Sequence, residues 1–144
     1  MESLQNALKI AFASEFAFYL KAHYFHWNVE GPNFKQLHDL FGAIYEEVYD
    51  SIDAFAENIR KTGTYTPGSF TRFSMLSGID DETGILPAEA MVAELLRDSE
   101  KMSQMFQIVF AAAEELGEHG LSNFLADRQD AHDKHSWMLR STLK

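Results

Sequence analysis

Over residues 3–61 the three- and four-residue recurrence of apolar side chains is interrupted once, at Gly31-Pro32. That single break commits the first part of the chain to two long helices joined by a tight turn. Leu4, Leu8, Phe12, Phe16, Tyr19, His23 and His26 mark one face of a first helix, roughly Ser3 to Asn28. The second helix runs roughly from Asn33 to Lys61. Asn33 is placed to cap it, with Gln36 three residues on as in a capping box, and Gly63 stands where a terminator belongs.

Between Thr62 and Leu86 the chain turns rich in Gly, Ser and Thr, with Pro67-Gly68 and Asp80-Asp81 as turn signals. Phe70, Phe73, Met75 and Leu76 predict a short helix within that link. A third long helix starts near Pro87, a residue suited to a first turn, and ends near Gly117. A fourth runs from about Leu121 to the end. No strand-like alternation and no repeat is present. The expectation is one all-α domain over residues 1–144: a four-helix bundle with a short extra helix in the long connection between helices two and three.

The chain has no cysteine, which excludes disulfides and thiolate metal sites and suits a reducing cytoplasm. No stretch approaches the roughly twenty apolar residues of a membrane span, and no secretory leader is seen, so a cytoplasmic location is expected. The 22 acidic residues outweigh the 12 basic ones, for a net charge of −10. Neither a basic tail nor a basic patch appears, and direct DNA binding is disfavoured. An acidic surface attracts metal cations instead.

Asp53 and Glu57 lie four apart on the second helix, so their carboxylates share one face. Ile52, Phe55, Ala56 and Ile59 surround them. His26 and His38 flank the Gly31-Pro32 break, where antiparallel helices bring two imidazoles near one another. Trp27, beside the first histidine, would shield such a site from water. Fifteen residues separate His38 from Asp53, about 22 Å along a helix. One chain therefore cannot gather all four side chains around one metal. Two chains can, if their second helices pair antiparallel about a twofold axis and each chain's histidines meet its partner's acids. Two imidazoles and two carboxylates suit iron, and zinc or manganese less specifically. A Glu-x-x-His di-iron motif is absent: the residues three before the six histidines are Leu20, His23, Lys35, Leu116, Gln129 and His132.

These residues resemble the Dps family of miniferritins. The resemblance is carried by His26-Trp27-Asn28, Gly31-Pro32-Asn33-Phe34, His38, and Asp53-x-x-Ala56-Glu57. It continues through Pro67-Gly68-Ser69, Leu76-Ser77 and His132-x-Lys134-x-x-Trp137-Met138-Leu139-Arg140, covering nearly the whole chain. The resemblance implies a ferritin-like fold, a homo-oligomeric shell of twelve subunits, and ferroxidase centres at twofold interfaces. It implies iron as the metal, with His26, His38, Asp53 and Glu57 as both catalytic residues and metal ligands. It also implies oxidation of Fe(II), typically by hydrogen peroxide, storage of ferric mineral and protection against oxidative stress.

Two departures stand out. Many family members carry an acid one turn after the second histidine; here that position is Gly42. A second iron position then depends on neighbours such as Asp39 or Glu46. DNA-binding members often have a mobile Lys-rich tail, whereas this sequence enters its first helix almost at once. Asp127, Asp130 and Asp133 recur on the fourth helix, either as rings of carboxylates around an ion-entry pore or as a solvated face balanced by Arg128 and Lys134. Glu114, Glu115 and Glu118 at the end of the third helix are a second candidate cluster. The competing functions are a DNA-compacting nucleoid protein and a metal-storage shell without catalysis.

Overall fold

The computed structural model describes residues 1–144 and contains five helices: α1 (Glu2–Asn28), α2 (Phe34–Lys61), α3 (Phe70–Leu76), α4 (Ala88–Glu115) and α5 (His119–Thr142). No strand is present. The expected bundle, with its short helix in the long link, is what forms.

α1 packs on α2 and α4, α4 on α5, and α3 on α1. The Gln5 side chain bonds the Thr62 carbonyl, so the start of α1 lies beside the end of α2. Lys21 reaches Asp98 while Ala7 and Ala11 face Met105 and Val109, so α1 also runs against α4. α2 and α4 are therefore parallel, and the link between them must travel the bundle's length. It does so along α1: Phe73 contacts Phe12 and Phe16, the Gly78 N–H bonds Ser14 Oγ, and Tyr24 Oη donates to the Gly84 carbonyl.

The core is built on Phe18, Phe25, Phe41, Phe55 and Phe106, all fully buried. Each such side chain contributes roughly 1.5–3 kcal/mol by leaving water. The face expected along α1 splits in two. Leu4, Leu8 and Phe12 are buried, but Phe16, Tyr19, His23 and His26 are only half-buried. Steps of four residues drift around a helix by about 40° each. The core stripe instead continues through Glu15, Phe18, Ala22 and Phe25, leaving the histidine stripe on α1's flank toward α2.

The capping box expected at Asn33 does not form; its side chain makes no cap hydrogen bond. Gly31, at φ +118°, lets the turn close on itself, and the Phe34 N–H bonds the Gly31 carbonyl at 3.0 Å. One orphan donor is thereby satisfied by backbone. Gly63, at φ +98°, does end α2.

Candidate metal centre

The α1–α2 turn brings His26 and His38 face to face. Their rings stack with centroids 3.8 Å apart and planes 17° from parallel. His26 Nδ1 lies 2.7 Å from the His38 carbonyl, and His38 Nδ1 lies 2.7 Å from the His26 carbonyl. A carbonyl only accepts, so each Nδ1 carries a proton, and in the neutral ring the lone pair is left on Nε2. This is the arrangement of a metal-ligating imidazole: Nδ1–H anchored on an oxygen, Nε2 free to coordinate. Phe34 covers the outer side of His38, centroids 5.1 Å apart.

Gly42 is buried beneath His26; a Cβ there would meet Cε1 and Nδ1 of the ring at 3.1 Å. The position one turn after His38 is thus filled from above by the first histidine. His23 extends the cluster. Its ring stacks on Tyr45 at 3.8 Å and touches Trp27 at 4.0 Å, and its Nδ1 lies 3.0 Å from Tyr19 Oη. Burial, then the nearby His26, hold the His23 imidazole below its ordinary pKa against the opposing pull of Glu46.

Asp53 and Glu57 are exposed on α2, and α2 is unbroken from Phe34 to Lys61. The histidines and these acids stay about 22 Å apart, and no three His, Asp or Glu side chains of the lone chain converge on one metal position. Trp27 is exposed, its indole against His23. Asp39 is exposed and pairs with Lys35 at 3.1 Å. Asp127, Asp130 and Asp133 all lie on the exposed side of α5, Asp133 accepting from Ser103 Oγ. Lys134 is exposed with them, but Arg128 is not: it turns inward and balances carboxylates inside the bundle. Glu114 pairs with His119 at 3.1 Å, Glu115 is exposed and Glu118 is half-buried.

The inward turn of Arg128 exposes a cluster the sequence reading missed. Glu15 and His132 are wholly buried, and Arg128 and His135 nearly so. Arg128 donates from Nη2 to Glu15 Oε2 at 3.0 Å and to Glu47 Oε1 at 3.2 Å. His132 Nε2 lies 2.7 Å from Glu15 Oε1, and His135 Nε2 lies 2.7 Å from Glu47 Oε1. Burial works to raise both carboxylates, but their partners prevail. His132 and Arg128 hold Glu15 below its ordinary range, and His135 and Arg128 bring Glu47 down to about 2. One signal was available: Glu15 is the sole charge in the run Ala11–Phe18.

The family model described as a ferritin-like domain matches residues 5–144. The chain is 30% identical over 126 residues to the DNA protection during starvation protein of Brevibacillus brevis, covering 88% of this chain and 85% of that one. It superposes on Dps from Staphylococcus aureus with a TM-score of 0.95 and 30% identity, over 100% of this chain and 97% of that one. A DPS protein from Vibrio cholerae O1, described as a member of a broad superfamily of ferritin-like diiron-carboxylate proteins, gives 0.94 at 27% identity, over 99% and 90%.

Proposed function

The chain belongs to the ferritin-like family, in its Dps group, and on that premise we propose that it is the subunit of a hollow, homo-oligomeric iron store whose ferroxidase centres are shared between two chains. The observation that carries this reading is the reciprocal locking of His26 and His38, which leaves two Nε2 lone pairs free, on a chain that offers them no carboxylate. A twofold axis near Tyr45 and Glu46, with two α2 helices antiparallel, supplies the missing half: Asp53 and Glu57 of the partner subunit. The exposed Tyr49, 56% accessible on the lone chain, gains cover from the same pairing. Trp27 gains its shielding role only in the assembly.

Fe(II) is the substrate. Neutral imidazoles and ionised carboxylates bind it, and the carboxylate charge favours the ferric product. Two Fe(II) each give one electron to a hydrogen peroxide, which takes up two protons and leaves as two waters. This two-electron course avoids hydroxyl radical. With Gly42 in place of an acid, one iron position per centre is strongly ligated. The acids of α5, Asp127, Asp130 and Asp133, line an entry route around a threefold axis of a twelve-subunit shell. The Brevibacillus brevis relative is named for DNA protection; removal of iron and peroxide gives such protection without contact, as a net charge of −10 favours.

Stopped-flow oxidation of Fe(II) by peroxide tests the reading. Replacing His26 and His38 together by Ala should slow it by about a hundredfold or more, since loss of a ligand's outer-shell partner alone costs roughly 10–100-fold. An unchanged rate would remove these residues from the centre, and a wild-type rate no faster than buffer would make the shell a passive store.

A further inference from the structure

The cluster around Arg128, buried except for the Glu47 carboxylate at its edge, 39% exposed, has the composition of a metal site with a guanidinium in the metal's place. We propose that Arg128 is a specificity-determining residue: it occupies the position of a divalent transition-metal ion among Glu15, Glu47, His132 and His135, and so keeps metal out of the bundle. That this directs iron to the shared centre rests on the function proposed above; the exclusion itself does not.

Four donors come from three helices: Glu15 from α1, Glu47 from α2, and the i, i+3 pair His132 and His135 from α5. Carboxylates from facing helices together with helical histidines are how bundles hold transition metals in their cores. Here Arg128 uses two edges of its fork. Nε and Nη2 take Glu15 Oε2 at 3.3 and 3.0 Å, while Nη1 and Nη2 take the two oxygens of Glu47. The guanidinium offsets one of the two negative charges and sits between the two carboxylates, and with it in place no three of these donors converge on one ion.

Both imidazoles are positioned to switch from carboxylate donor to metal ligand. Each now donates from Nε2 to a carboxylate. To ligate through Nε2, a ring must carry its proton on Nδ1. His135 Nδ1 is buried without any partner, so it stands open to that proton. His132 Nδ1 lies 3.2 Å from Ser99 Oγ. That hydroxyl already donates to the His132 carbonyl, so it can accept from Nδ1, an outer-shell anchor of the usual kind. Four ligands and one anchor are therefore present, and one long cation fills their centre.

The test uses the full chain with His26 and His38 both replaced by Ala, so that the shared centre plays no part. Co(II) is the probe, read by equilibrium dialysis and by its visible d–d absorption. Adding Arg128→Gln should create binding of on the order of one Co(II) per chain, with bands of a nitrogen- and oxygen-ligated ion. The binding should vanish when Glu15→Gln is added. Equal Co(II) uptake with Arg128 intact, no gain with Arg128→Gln, or a gain that survives Glu15→Gln would each overturn the proposal. If the Arg128→Gln chain folds poorly, Co(II) should restore its helical circular dichroism; failure to restore it also counts against a site. A failed iron-oxidation experiment with the unaltered chain leaves this outcome untouched.

Discussion

The His26 imidazole rests on the bare Cα of Gly42, so close that a Cβ there would lie 3.1 Å from two ring atoms. The ring has little freedom to retreat. It is stacked on His38 on one side and held by its Nδ1 bond to the His38 carbonyl.

Gly42→Ala therefore sets two effects against each other. Helix propensity favours Ala by about 1 kcal/mol in mid-helix. Overpacking a held ring costs about 1–3 kcal/mol. The second should prevail, lowering the melting temperature by roughly 2–4 °C and slowing iron oxidation as His26 Nε2 swings off line. A variant that melts higher and oxidises iron at the wild-type rate would show that the ring yields.

A centre split between chains has a stoichiometric signature. One mutant lacks His26 and His38, the other lacks Asp53 and Glu57; each should be inactive alone. Unfolded together in equal amounts and refolded, half of the twofold pairs are mixed, and each mixed pair holds one intact centre and one empty one. Activity should return to about a quarter of the wild-type value. No recovery in correctly assembled mixed shells would place all four residues within one chain's own site or outside any site.

Acid should weaken this bundle in two stages. Burial, foremost, keeps His135 below its ordinary 6.5, so the unfolded chain takes up that proton first and stability falls as pH drops below about 6.5. Glu47, despite burial, is brought from 4.5 to about 2 by His135 and Arg128, and Glu15 is lowered too. Their contribution is present above about pH 4.5 and is lost as pH falls toward 2. Melting temperatures measured from pH 7.5 to 3 should show both declines. Glu47→Gln should flatten the lower one. An unaltered slope below pH 4.5 would mean that the Glu47 pairing does not hold in solution.

Much of this architecture was legible in the order of residues. Gly31-Pro32, Gly63, Pro87 and Gly117 punctuate the helices where a local rule says they should. His38 and Asp53 could be judged too far apart because helix rise is fixed, whatever the tertiary context. The failures have a different origin. Asn33 lost its capping role to a turn that closes through Gly31, a competition between two local solutions. Arg128 enters the sequence pattern only as a counter-charge on one of the two readings of the Asp127, Asp130 and Asp133 face, because its neighbours are polar; its true partners, Glu15 and Glu47, lie 113 and 81 residues away. Only packing decides such pairings, and the lone charge in an apolar stretch of α1 was the sole local hint.

The unbroken length of α2 has a further consequence. It acts as a ruler between the two centres of any antiparallel pair, setting them about 22 Å apart. Mobile ions screen charge over about 8–10 Å at ordinary ionic strength. An iron bound at one centre is then electrically invisible to its twin, and no hinge within the helix relays its arrival. Each centre should fill as if alone, with a Hill coefficient of about one. A shell built from such pairs would load in proportion to the iron around it, without threshold or switch.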